Sequence, residues 1–132
     1  MTRVVHFEIE ADEPQRAISF YAGVFHWRFS KWDGPQDYWY IETGASDRRG
    51  IDGGLIPRRD PVHGGGANAW VCTVEVASLD DALQAIRRHG GTVREGDVTI
   101  PAVGRLAYCN DSEGNRFSVI EYRRGETEAH DA

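Results

Sequence analysis

A histidine and a glutamate two positions apart near the N-terminus are the residues best suited to chemistry. In an alternating strand, Val5, Phe7 and Ile9 share one face and His6 and Glu8 share the other. An imidazole exchanges protons near neutral pH, and a carboxylate beside it can assist it or take up a proton itself. The pair predicts an acid–base site with His6 and Glu8 as its catalytic residues. The alternative is a histidine that only lines a pocket beside a carboxylate at its wet rim.

Hydroxyl and aromatic side chains form the second group of candidates. Strand alternation places Tyr38, Tyr40 and Tyr108 on one face. Tyr108 is the strongest candidate because its neighbours Ala107 and Cys109 are small, as residues packed under a helix often are. The alternative is the core, to which aromatic residues in such strands usually belong. The predicted ligand-binding residues are Tyr38, Tyr40, Thr73, Tyr108 and Ser118.

The elements that position these residues repeat in the order β-α-β-β-β. In the first copy, Asp12 is predicted to cap a helix that buries one apolar stripe, reaching to Val24 and Phe25. In the second copy, Ser78 and Asp81 form a capping pair. The predicted strands are 4–12, 27–32, 38–43 and 50–56, followed by 69–76, 92–95, 106–110 and 116–122.

This internal repeat predicts a single α+β domain over residues 1–125. Two βαβββ modules, about 4–57 and 68–122, are joined by a glycine-rich linker at 58–67, and a polar tail at 126–132 is predicted to be disordered. Each module has one helix to cover one face of its sheet. We therefore expect the two modules to form a curved mixed sheet around an open cleft.

Composition excludes several classes of partner. The 132 residues carry a net charge of −6, with 21 acidic and 15 basic residues, which argues against nucleic acid as a partner. No segment has the length and apolarity of a membrane span, so the cytoplasm is the expected compartment. Cys72 and Cys109 lie in apolar segments without metal-ligand spacing. Both are predicted to be small buried thiols and not a disulfide.

The sequence also resembles the vicinal oxygen chelate superfamily, which includes glyoxalase I, the bleomycin resistance proteins and the extradiol dioxygenases. The resemblance is closest to the small bacterial glyoxalase-like proteins. It rests on segments in a specific order, which are His6-Phe7-Glu8-Ile9, residues 20–27, Gly53-Gly54-Leu55, His89-Gly90-Gly91 and residues 107–115.

The resemblance implies a divalent metal held by one residue on the first and last strand of each module. His6 occupies the first of these positions, whereas Gly54, Val71 and Ser118 occupy the others. One imidazole cannot hold such an ion, so no metal and no other cofactor is expected. The alternative is a divalent metal bound at a different site that Glu8 and Glu75 help to build.

The resemblance leaves three functions open. The first is a lyase or isomerase that acts next to a carbonyl group without the usual metal. The second is a protein of bleomycin-resistance type that sequesters a drug or metabolite, for which an acidic chain suits a cationic ligand. The third is a metal-dependent glyoxalase or dioxygenase with a non-standard site. Each predicts a small organic molecule as the partner.

A homodimer is also expected, from the habit of the superfamily and the richness in aromatic residues such as Trp27, Trp32 and Trp39.

Overall fold

The computed structural model describes residues 2–59 and 69–123. Most of the predicted linker and all of the predicted disordered tail lie outside the described residues. The described residues divide into two compact units, an N-terminal module of residues 6–59 and 69–70 and a C-terminal module of residues 71–123 together with residues 2–5. The elements in chain order are β1 (Val4–Ala11), α1 (Pro14–Phe25), β2 (Arg28–Lys31), β3 (Trp39–Glu42), β4 (Gly53–Pro57), β5 (Val71–Glu75), α2 (Leu79–Arg88), β6 (Thr92–Ile100), β7 (Gly104–Asn110) and β8 (Arg116–Tyr122).

The N-terminal module is a mixed sheet covered on one face by α1. Its strand order is β2-β3-β4-β1, with β1 parallel to β4 and the other neighbours antiparallel. The apolar side chains of alternate strand residues form the core beneath the helix, and its buried members are Phe7, Ile9, Ala11, Ile41 and Leu55. The predicted alternation of β1 is confirmed, because His6 and Glu8 lie on the face opposite this core.

Helix α1 differs from the sequence prediction at both of its ends. The N-cap residue is Glu13, which makes no side-chain capping bond, so the predicted cap by Asp12 is wrong. The Asp12 carboxylate instead accepts a hydrogen bond of 2.9 Å from Nε of Arg58. Val24 and Phe25 are each 52% exposed, and no residue of the helix is fully buried. The predicted apolar stripe therefore packs against the core as far as Tyr21 and not beyond it.

The C-terminal module repeats the arrangement with a better-capped helix. Its strand order is β5-β8-β7-β6, with β5 parallel to β8. The predicted cap of α2 is confirmed, because the Ser78 hydroxyl accepts a hydrogen bond from the Asp81 amide at 3.2 Å. A carboxylate oxygen of Glu121 on β8 accepts a second one from the Leu79 amide at 2.7 Å. Two of the amides that a helix start leaves without intrahelical partners are thereby satisfied.

The core of this module lies between α2 and one face of its sheet. Its buried members are Val76, Leu79, Leu83, Ala107, Cys109 and Val119. The predicted burial of Cys109 is confirmed, but Cys72 is exposed. Cys72 precedes Val74 by two residues on the helix-facing side of β5, and it lies outside the cluster that packs against α2. An apolar strand pattern does not show where the covering helix ends.

Strand β6 is longer than the sequence predicts, reaching Ile100 and not Glu95. Its pairing with β7 shifts register twice, between Val93 and Glu95 and between Glu95 and Val98. Each irregularity breaks the two-residue alternation by which a strand is identified from sequence.

The prediction of an α+β fold built from two βαβββ modules is nevertheless confirmed. Within residues 2–59 and 69–123, no helix has the length and apolarity needed to cross a membrane.

Candidate functional site

His6 and Glu8 form a largely buried pair on the face of β1 that points away from the core. Nε2 of His6 lies 3.9 Å from a carboxylate oxygen of Glu8, and their side chains are only 11% and 14% exposed. Strand alternation brings the two groups to one side, as the sequence predicts. An imidazole and a carboxylate at this separation can exchange a proton through a small shift or through a ligand between them.

Burial changes the proton affinity of Glu8. Loss of solvent raises the pKa of this carboxyl above its ordinary value, and the neighbouring negative charge of Glu10 raises it further. The positive charge of Arg59 acts in the opposite direction. Arg59 is itself bound to Glu10, with 3.1 Å between Nε and the carboxylate oxygen. Glu8 is therefore a stronger base than a carboxylate in water.

Tyr38 joins this pair from the segment that precedes β3. Its hydroxyl oxygen lies 3.4 Å from Nε2 of His6. The same hydroxyl lies against Gly54, at a point that a side chain on residue 54 would occupy. Glu8 is the register partner of Gly54 in the parallel β1–β4 pair, so the glycine, the carboxylate and the phenol are neighbours. The structure thus brings the predicted ligand-binding residue Tyr38 to both predicted catalytic residues.

Tyr40 extends the aromatic surface of the same face. Its ring meets the Tyr38 ring edge-to-face with 5.4 Å between centroids, and the residue is 49% exposed. Ile41 is buried in the core and Trp39 packs against it, as the predicted alternation of β3 requires. Tyr40 is thus available to a ligand in a way that a core aromatic residue is not.

The remaining predicted ligand-binding residues lie together in the C-terminal module. Thr73, Ser118 and Tyr108 are neighbours in register across β5, β8 and β7. The hydroxyl groups of Thr73 and Ser118 are 2.6 Å apart and buried, whereas Tyr108 is half-buried. Ala107 and Cys109 point to the core under α2. Tyr108 therefore lies on the face away from that helix, as predicted.

Comparison with known proteins identifies the family. The sequence pattern of the Glyoxalase/Bleomycin resistance protein/Dioxygenase superfamily matches residues 3–119. The chain belongs to this superfamily.

Two relatives in Mycobacterium match this chain over less than half of their own length. The protein named "Putative glyoxylase CFP32" of Mycobacterium tuberculosis is 28% identical over 116 residues, which are 86% of this chain and 42% of that protein. The same values hold for its counterpart in Mycobacterium bovis. The chain therefore spans less than half of the length of these relatives.

Solved structures show the superfamily fold at low sequence identity. A hypothetical protein of Bacillus halodurans has a TM-score of 0.66 at 14% identity, covering 92% of this chain and 95% of that one. Methylmalonyl-CoA epimerase of Mycobacterium tuberculosis has a TM-score of 0.62 at 14% identity, covering 91% and 87%. The Streptomyces coelicolor epimerase bound to methylmalonyl-CoA has a TM-score of 0.63 at 15% identity, covering 92% and 95%.

The residues at the positions where the resemblance implies metal ligands do not fit a divalent ion. Gly54 has no side chain, Val71 has no donor atom, and the Ser118 hydroxyl is engaged with Thr73. His6 alone offers a donor suited to zinc, nickel or iron. In the described part of the chain, no group of three or more His, Cys, Asp or Glu residues could hold a metal. The site that Glu8 and Glu75 were predicted to help build stays a hypothesis.

Proximity of Tyr38 to His6 is the feature that sequence reasoning missed. Tyr38 precedes β3, so strand alternation alone cannot fix its direction. The available signal was the pair Gly53-Gly54 inside a strand pattern, because glycine in a strand often marks the close approach of another group.

Proposed function

We propose that this protein binds a small organic molecule with a carbonyl group and acts as a lyase or isomerase on the adjacent carbon, without the metal usual in the superfamily. The observation that supports this most is the buried pair of His6 and Glu8, with 3.9 Å between Nε2 and the carboxylate oxygen. A carboxylate withdrawn from water accepts protons more readily, and a general base works best when its pKa approaches the working pH.

The reaction requires two groups with opposite roles. Glu8 takes the proton from the carbon next to the carbonyl group, and the electron pair of that bond moves onto the carbonyl oxygen. His6 supplies the proton that neutralises this oxygen. Return of a proton to carbon completes an isomerisation, and departure of a leaving group completes a lyase reaction. The names of the relatives, a glyoxylase and an epimerase, support an enzyme of this broad class.

Proton exchange with solvent tests the proposal without knowledge of the substrate. Protein treated with a chelator is incubated in deuterium oxide with a panel of 2-oxo acids, 2-hydroxy aldehydes and acyl thioesters, and deuterium at the carbon next to the carbonyl is followed by NMR. We expect exchange that Glu8→Gln slows by about 10²-fold or more. Glu42→Gln, a change of an exposed carboxylate in the same module, should leave it unchanged. Absence of exchange with every compound would contradict the proposal.

A sequestering protein is the second candidate, and the aromatic surface of the N-terminal module supports it. Tyr38 and Tyr40 lie edge-to-face, with Tyr40 half exposed, and the chain carries a net charge of −6. Aromatic faces and negative charge both attract cationic ligands. Calorimetric titration with a panel of aromatic cations tests this candidate. Saturable binding without turnover, weakened about threefold or more by Tyr40→Ala, would favour it over the enzyme.

A further inference from the structure

The Tyr38 side chain reaches His6 through space that Gly54 leaves open. A Cβ atom on residue 54 would overlap the phenol oxygen and ring carbons of Tyr38. The side chain of Tyr38 can approach only because residue 54 has none, and its hydroxyl oxygen then lies 3.4 Å from Nε2 of His6. The absence of a side chain at position 54 thus allows the Tyr38 phenol to lie beside the His6 imidazole.

Two oxygen atoms converge on the same nitrogen of His6. The Glu8 carboxylate oxygen is 3.9 Å and the Tyr38 hydroxyl oxygen 3.4 Å from Nε2. An ionised carboxylate can only accept hydrogen bonds, so its presence favours a proton on Nε2. A phenol oxygen can accept from that proton, and its own proton then points away from the ring. The charged groups of the module that act on Glu8 are Glu10 and Arg59.

We propose that Tyr38 is the catalytic acid of this site and carries the proton from His6 to the oxygen of the bound molecule. The proposal rests on the function proposed above. Glu8 takes the proton from carbon, and the electron pair of that bond moves onto the carbonyl oxygen. This oxygen takes the phenol proton of Tyr38, and the phenol oxygen takes the Nε2 proton from the imidazolium form of His6. Tyr38 is neutral before and after the step, and Glu8 and His6 end uncharged.

The close contact between Tyr38 and Gly54 provides a second way to displace the phenol. Alanine at position 54 would displace the phenol while leaving its hydroxyl on the chain. Gly54→Ala should therefore reproduce the effect of Tyr38→Phe, and the double variant should be no slower than the slower of the single variants. Tyr21→Phe is the matched control because it removes a phenol hydroxyl from α1, which packs on the opposite face of the same sheet.

The activity test uses the deuterium-exchange assay with any compound that the wild-type protein exchanges. Tyr38→Phe and Gly54→Ala should each lower kcat by about 10²-fold with little change in KM, because proton donation assists mainly the transition state. Tyr21→Phe should keep kcat within twofold. Wild-type rates in Tyr38→Phe, or full additivity in the double variant, would overturn the proposal.

A second readout does not depend on turnover. The His6 ring is titrated by NMR in the free protein. A phenol oxygen that accepts from Nε2 favours the imidazolium form, so Tyr38→Phe and Gly54→Ala should each lower the midpoint by a few tenths of a unit to about one unit. Tyr21→Phe should not move the midpoint. An unchanged or raised midpoint in Tyr38→Phe would overturn the proposal even if exchange is observed. A lowered midpoint without any exchange by the wild type would overturn both proton delivery by Tyr38 and the proposed function. That result would support only the hydrogen bond between Tyr38 and His6.

Discussion

Burial of Glu8 has a measurable energetic cost at the scale of single residues. Desolvation raises the pKa of this carboxyl above its ordinary value of 4.5, so the folded state holds the proton more tightly than the unfolded state. Below pH 4.5 the carboxyl is protonated in both states, so the fold bears no desolvation penalty from Glu8. The free energy of unfolding falls as the pH rises through the raised pKa. Glu8→Gln should be more stable than the wild type at pH 7 and equally stable in acid, as measured by urea denaturation across this range.

The exposed carboxylate of Glu42 provides the control for this measurement. Glu42→Gln changes charge in the same way on a side chain that is half exposed, so it should alter stability by only a few tenths of a kcal/mol. A stability difference between Glu8→Gln and the wild type that does not vary with pH would show that Glu8 is not desolvated.

The hydroxyl pair of the C-terminal module permits a prediction of coupling. Thr73 and Ser118 are 2% and 1% exposed and lie 2.6 Å apart. Ser118→Ala leaves the Thr73 hydroxyl buried without this partner and should cost about 1–3 kcal/mol of unfolding free energy. Changing both, with Thr73→Val and Ser118→Ala, should cost less than the two single changes together. Chemical denaturation of the four proteins gives the coupling, and additive effects would contradict it.

Most of the candidate residues could be placed on the correct face from the sequence alone. Alternation is a local property of a strand, and it separates His6 and Glu8 from the core and Tyr108 from its small neighbours. The approach of Tyr38 to His6 does not follow from strand alternation. It depends on the space above Gly54, which the register of β1 and β4 creates between residues far apart in sequence.

At the scale of elements, the two helices are stabilised in different ways. Helix α2 has a side-chain cap at Ser78, acidic residues in its first turn and basic residues in its last turn, whereas α1 has none of these. Ser78→Ala should lower the free energy of unfolding by about 1 kcal/mol. The matched change at the other helix, Glu13→Ala, should have a much smaller effect. Equal losses in thermal or urea denaturation would contradict this difference.

The elements that the sequence predicts least well are those whose limits are set by packing. The capping pair of Ser78 and Asp81 marks the start of α2, and this pair was predicted. Strand β6 extends to Ile100 through two register shifts, which no alternating pattern describes. Phe25 and Cys72 lie in apolar segments of the sequence, which is typical of core residues. Both are nevertheless exposed, outside the buried clusters of their modules.

At the scale of the whole molecule, exposed apolar side chains support the expectation of a homodimer. Among the described residues, Phe20, Val24, Phe25 and Trp70 are each about half exposed. Three of them lie on α1, and such surfaces often belong to an interface. The residues on which the sequence prediction rested, Trp27, Trp32 and Trp39, are instead half-buried.

Light scattering tests this expectation. The wild type should have twice the chain mass of 14.8 kDa, and Phe25→Glu should have the single-chain mass with unchanged secondary structure. Ser19→Glu provides a control on the same helix, since it adds a charge without removing an apolar side chain. A wild-type protein that remains monomeric at micromolar concentration would contradict the expectation.

We propose that this superfamily member works with protein groups where a divalent metal would otherwise be bound. Elemental analysis of protein purified without chelators tests it most directly. We predict far less than one zinc, nickel, manganese or iron per chain, with no difference between the wild type and His6→Ala, because Gly54 and Val71 supply no donor. A content near one metal per chain that His6→Ala abolishes would contradict a metal-independent site.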